Sequence, residues 1–174
     1  MSSESATPGL TGDSDHAEVS SGEFREAMAR WASGVTIVTA VGVGQEPVGM
    51  TASSFAALSL QPPLVLVCIA HDAQSHDDLV RAPGFFVHVL SRGQEELSRS
   101  FAAPGRAKFD ALGPLETGRF GAPLLPVGVA RLACAHFAAV PLGDHTVLSG
   151  RVVGSEVTDA APLLYAHRDY HGLG

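Results

Sequence analysis

With 174 residues, 45% of them hydrophobic and 17% charged, the chain has room for one domain with a hydrophobic core and is too apolar to be disordered throughout. A net charge of −7, with Lys108 the only lysine, argues against a nucleic-acid partner held by phosphate contacts and against a polybasic membrane patch. No run approaches the roughly 18 apolar residues of a membrane helix, and no secretory leader pattern opens the chain. Cys68 and Cys134 lie in apolar runs without CxxC or metal spacing and read as buried, reduced thiols, which points to a cytoplasmic protein.

Residues 1–19, with Glu4, Asp13, Asp15 and Glu18 and no lysine or arginine, read as a disordered acidic tail, and 20–174 as one domain. Ser20 and Glu23 have capping-box spacing, predicting a helix whose buried face carries Phe24, Ala27, Met28 and Trp31 and which Gly34 ends. Val35 to Val41 reads as a strand, followed by a turn at Gly42-Val43-Gly44 and Pro47. That Gly-x-Gly is no dinucleotide fingerprint, because Glu46-Pro47 follows where a helix should open. GMTASSF (49–55) reads as a small, hydroxyl-rich turn suited to close approach by a ligand, although hydroxyls are common in ordinary turns too. Pro62-Pro63 is a stop, and Leu64 to Ile69 is a strand buried on both faces.

Ser75 with Asp78 suggests a helix start, ending near Ala82-Pro83. Phe85 to Leu90 returns as a strand. Ser91 and Gln94 form a second capping-box candidate, opening a helix through Phe101 that Ala103-Pro104-Gly105 breaks. Arg106 to Gly128 reads as a long loop, and Ala130 to Val140 and Thr146 to Val153 as strands turning at Gly143-Asp144. About six strands with a few short helices predict a mainly β fold, a small barrel with appended helices.

Among the polar residues, Ser75 at a helix start is the first choice for an anion, with His76 beside it. His88 and His136 read as satisfied histidines on a sheet. His167 and His171 are four apart and would share a helical face, but no third ligand supports a metal. No nucleophile elbow, HExxH or P-loop is present.

The ordered stretches GMTASSF, SLQPPLVLVCI, FFVHVLSRGQEELSRSFA, KFDAL, GDHTVLSGRVV and PLLYAHRDY resemble the flavin reductase family over roughly Phe24 to Leu173. The resemblance implies a six-stranded Greek-key split β-barrel and an NAD(P)H:flavin oxidoreductase supplying reduced flavin to a monooxygenase. FMN or FAD would be the flavin, and NADH or NADPH the hydride donor to flavin N5. It places Gly49, Met50, Thr51, Ala52, Ser53 and Ser54 along the isoalloxazine and ribityl chain. Ser59, Leu60, Cys68, Ile69 and Ala70 would supply further wall, and Ser75, His76, Phe101, Lys108 and Phe109 the phosphate side. His145, in a Gly-Asp-His motif, would lie at the nicotinamide as the one catalytic candidate, with Arg168 and Tyr170 closing over it. A homodimer is also implied, and the doubly buried strands ask for one, since a six-stranded barrel has an outside that few helices can cover. Two alternatives stay open: a flavin- or haem-binding barrel without catalysis, and an oxidase that holds FMN tightly.

Overall fold

A computed structural model describes residues 18–173. Apart from Glu18 and Val19, the acidic tail, with His16, lies outside the described residues. Helix α1 (Ser21–Met28) opens on the expected capping box: the Glu23 amide donates to Ser20 Oγ at 3.2 Å, and the Ser20 amide to the Glu23 carboxylate at 3.0 Å. Its apolar stripe is not buried as expected. Phe24, Met28 and Trp31 are 58%, 47% and 69% exposed, because no described element packs over them. Gly34 does not end this helix either; it belongs to a two-residue strand, β1 (Ser33–Gly34).

Seven strands form one antiparallel sheet: β2 (Thr36–Val41), β3 (Pro47–Ala52), β4 (Ala56–Leu60), β5 (Pro63–Ala70), β6 (Gly84–Val89), β7 (Ala130–Leu142) and β8 (His145–Val157). Their spatial order is β3-β2-β6-β7-β8-β5-β4. A small second sheet joins β1 to β9 (Leu163–Ala166) and β10 (Asp169–Gly172). The fold is therefore mainly β with short helices, but with more strands than the six expected, and among the described residues no ladder joins edge β3 to edge β4. GMTASSF begins as strand, not turn, since Gly49 to Ala52 pair with Thr39 to Thr36. His167 and Arg168 occupy a hairpin turn with φ of 50° and 62°, so His167 and His171 do not share a helical face. Gly143, at φ 60°, supplies the left-handed position of the two-residue turn between β7 and β8.

Helix α2 (His76–Arg81) begins after Ser75 and stops before Ala82-Pro83, as expected. Helix α3 (Glu95–Ala102) starts later than Ser91: the Gln94 side chain accepts from the Ser91 amide at 2.9 Å, so this pair shapes the turn ahead of the helix instead of capping it. The expected loop at 106–128 contains α4 (Ala107–Asp110) and a 3-10 turn at Arg119–Gly121.

Both faces of β2 are covered. Val38 and Ala40 join Phe85, Val87, Val67, Ile69 and Leu148 in one core, while Ile37 packs with Phe101, Phe109, Leu90, Leu125 and Leu163 in another. The second core is roofed by α3, α4 and the small sheet. Among the described residues no such roof lies over β5 and β7: Leu66 and Cys68 are only half-buried, and Phe137 and Val140 are exposed. The described residues of one chain thus do not supply the double burial expected for Leu64–Ile69 and Ala130–Val140. Both cysteines are free; Cys134 is buried, which pushes its thiol up to about 12.

His88, 1% exposed on β6, corrects the expectation of a satisfied histidine. The Thr39 hydroxyl donates to Pro123 O at 2.9 Å, so it accepts from His88 Nε2–H at 3.0 Å, and His88 Nδ1 has no partner among the described residues. Burial, with the Arg131 charge adding to it, holds the His88 pKa down at about 3. The unfolded chain takes up this proton near pH 6.5, the folded one only near 3. Stability is therefore fully present above pH 6.5 and lost as pH falls toward 3, by at most about 1.4 kcal/mol per pH unit. Denaturant titrations between pH 7 and pH 4.5 should show this slope in the wild type and a shallower one in His88→Gln; equal slopes would refute the assignment.

Candidate active site

Strand β3, the loop before α2 and the α3–α4 segment enclose a cleft of about 370 Å³, within the range of roughly 300–1,000 Å³ typical of small-molecule sites. Gly49, Met50 and Thr51 form one wall, Phe101, Lys108 and Phe109 another, and Ser75 lies at the end with Gln74. Phe101 and Phe109 meet edge to face, with centroids 5.0 Å apart, and so fold α4 back onto α3 across the Pro104-Gly105 break. Gly49 permits this packing: a Cβ there would lie 2.9 Å from Val38 O and 3.0 Å from the Phe101 ring. Gln74 accepts from the Gly105 amide at 2.8 Å and fixes the loop at the mouth.

Lys108 Nζ donates to Ala103 O at 2.8 Å and to Phe101 O at 3.4 Å, and lies 5.4 Å from the Phe101 ring centroid. Two of its three hydrogens are thereby committed, leaving one for a ligand. Its partial burial lowers its pKa. Arg106 stands on the rim, paired with Glu46 at 3.1 Å. Ser75 makes no side-chain capping bond, and its hydroxyl has no partner among the described residues. The cleft thus carries two cations, Arg106 and Lys108, and the Ser75 hydroxyl, with the Asp72 and Asp78 carboxylates also in its lining, and one wall is backed by the Phe101–Phe109 pair. That donor set suits a planar ligand carrying a phosphate.

Thr51 ties the cleft to the C-terminal hairpin. Its hydroxyl donates to Ser98 O at 2.6 Å, and the buried Ser98 hydroxyl lies 2.9 Å from Tyr170 Oη. Arg99 stacks over the Tyr170 ring at 4.8 Å, and Tyr165 meets it edge-on at 5.2 Å. Arg168 pairs with Glu26 of α1 at 3.0 Å.

The remaining sequence-derived positions lie outside this lining. Ala52 and Ile69 face the core. Ser53 sits in an exposed bend, while Ser54 Oγ accepts from the Cys68 amide at 3.1 Å and donates to Cys68 O at 3.0 Å, tying the bend to β5. Ser59 and Leu60 end β4 at the sheet edge, Leu60 being 91% exposed. Ala70 pairs with His145 across the β5–β8 ladder. His145 Nδ1 lies 2.6 Å from the Asp144 carboxylate, and this hydrogen bond lowers the Asp144 pKa. His76 points to Thr146 Oγ1 at 2.8 Å and to Asp77 at 2.9 Å, so it flanks the start of β8 together with His145. Sequence reasoning missed Gln74, Arg106, Ser98 and His71, whose ring meets His76 at 5.2 Å. Only Arg106, two residues before Lys108, carried a local signal, a second cation beside the first.

Residues 28–174 match the profile of the flavin reductase like domain. The chain belongs to the flavin reductase family. Similar members include the FMN reductase (NADH) of Agrobacterium fabrum, 40% identical over 156 residues, or 87% of this chain and 88% of that protein. The reductase component of 4-hydroxyphenylacetate 3-monooxygenase from Thermus thermophilus is 42% identical, with 86% and 95% covered. A solved flavin reductase, the NADH:FAD oxidoreductase of Streptomyces globisporus in complex with NAD and FAD fragments, superposes with a TM-score of 0.82 at 36% identity, covering 91% of this chain and 98% of that one. Some members are longer: this chain spans 47% of a probable flavin reductase from Rhizobium meliloti, 36% identical over 147 residues.

Proposed function

We propose that this flavin reductase oxidises NADH or NADPH, reduces FMN or FAD, and passes the reduced flavin to a partner monooxygenase. The observation that carries the reading is the cleft itself: an aromatic wall of Phe101 and Phe109 leading to the Lys108 ammonium and the Ser75 hydroxyl. A bound flavin supplies the two-electron chemistry that no side chain here provides. The protein's own residues bind and orient. Lys108 and Ser75 take the phosphate, β3 backbone and Thr51 hold the ribityl side, and the aromatic pair excludes water from one wall. Gly49 to Ser54, with Ser59, Leu60 and Cys68 to Ala70, remain the proposed flavin environment, Ala52 and Ile69 through their backbone alone since their side chains face the core, and His76 the neighbour of the phosphate side. Steady NADH oxidation that depends on added FMN or FAD is the deciding assay, and no rate above background with either flavin or either nicotinamide would sink the proposal.

His145 is assigned to the nicotinamide side, with Arg168 and Tyr170 on the C-terminal hairpin. It projects from the β7–β8 turn, half-exposed and oriented by Asp144, outside the cleft lining. His145→Ala should raise KM for NADH or lower kcat roughly ten-fold, with flavin affinity unchanged. Loss of flavin affinity instead would place it in the wrong half of the site.

The homodimer is also part of this reading, together with a Greek-key split barrel of six principal strands in a single domain, and a cytoplasmic location in keeping with two free thiols. Exposed apolar side chains on β4 and the β7–β8 arm, among them Leu58, Leu60, Phe137 and Leu142, support a second copy as their cover. Light scattering at micromolar concentration should give twice the chain mass; a stable, active monomer would overturn it.

A further inference from the structure

Beyond the wall formed by Pro47 and Phe109, a second groove of about 520 Å³ opens on the other side of the same two residues. Resting on the flavin reading above, we infer that this groove takes the adenosine half of FAD, so that FAD is bound in preference to FMN. Each cavity by itself is of nucleotide size, and a dinucleotide is two nucleotides joined through a pyrophosphate. The charges are arranged to match. Both cations, Arg106 and Lys108, lie on the first cavity, where they offset its Asp72 and Asp78 carboxylates, and the Arg106–Glu46 pair sits beside Pro47, where the cavities adjoin. That pair is exposed on both sides and weakly held, so the guanidinium is able to turn to a phosphate at small cost.

The second groove differs in having no cation to offset its carboxylate. Among the described residues that line it there is no lysine, arginine or histidine; it offers Leu115, Pro114 and Phe109 as apolar surface, with Asp110, Gln45 and Thr117 as polar groups. A phosphate would be repelled there by the Asp110 carboxylate, which no cation among the groove's described residues offsets. A nucleoside would be favoured, because ribose hydroxyls and the exocyclic amine of adenine are donors and a carboxylate only accepts. An uncharged purine nucleoside in the groove and its pyrophosphate at the cationic edge is the arrangement this pattern of charge allows.

The test compares FAD, FMN and riboflavin binding by fluorescence quenching on the full chain, without nicotinamide, for wild type, Thr117→Trp and Asp110→Asn. Thr117 is exposed, so the tryptophan fills the groove without entering the core. Wild type should bind FAD roughly ten-fold or more tightly than FMN. Thr117→Trp should bring the two to near equality by weakening FAD alone, and Asp110→Asn should act in the same direction with a smaller change. Equal wild-type affinities, or a Thr117→Trp variant that weakens FMN as much as FAD while its thermal unfolding is unchanged, would overturn the inference and leave the flavin cleft standing. Failure of the wild type to bind any of the three would overturn the flavin cleft and this groove together.

Discussion

Phe101→Ala is expected to lose about 3–5 kcal/mol of stability and most of the flavin affinity, from one substitution. The side chain is 1% exposed, so its removal leaves a cavity in the core beneath α3. It also removes the one ring that is both the edge-to-face partner of Phe109 and the support beneath Lys108, on one wall of the cleft. Gly49→Val approaches the same place from the other side. Its branched side chain meets Val38 O, a backbone atom of the paired strand that cannot yield, and so must push the Phe101 and Phe109 rings aside. Chemical denaturation gives the stability loss, and equilibrium titration with FMN gives the binding loss. A Phe101→Ala protein of near wild-type stability that still binds flavin normally would show that the aromatic pair is not the wall of the working site.

Lys108→Ala should weaken FMN by about 1.5–3 kcal/mol, roughly ten- to hundred-fold, and weaken riboflavin far less. The difference isolates the phosphate, the only group riboflavin lacks. Lys108 is suited to the task because two carbonyl oxygens, of Ala103 and Phe101, fix its ammonium beside the cleft and spare the cost of ordering it on binding. Burial makes the ammonium less comfortable without an anion, so a phosphate gains a contact that is only partly screened. Ser75→Ala should act in the same sense but more weakly, being a neutral donor. Equal losses for FMN and riboflavin in the Lys108 variant would show that this lysine supports the α3–α4 segment and does not touch a phosphate.

Local features were legible in the sequence wherever the deciding contacts span a few residues. The Ser20–Glu23 box, the Ala82-Pro83 stop, the Gly143-Asp144 turn and the Leu64–Ile69 strand, which the fold extends by one residue at each end, all depend on short-range geometry, and all are present. The family likeness marked Gly49 to Thr51, Phe101, Lys108 and Phe109 as site residues, and the fold brings these to one cleft from segments some fifty residues apart. What only the tertiary structure decided is which apolar faces find a cover. Phe24, Met28 and Trp31 have the spacing of a buried helix face, yet periodicity says that a face avoids water and not what meets it. Likewise the bonds from Thr51 to Ser98 and from Ser98 to Tyr170 join residues 47 and 72 positions apart, and the Arg106–Glu46 pair depends on where the β2–β3 turn comes to rest. Such contacts follow from strand register and helix docking, which sum over the whole core, so no local pattern of residues encodes them.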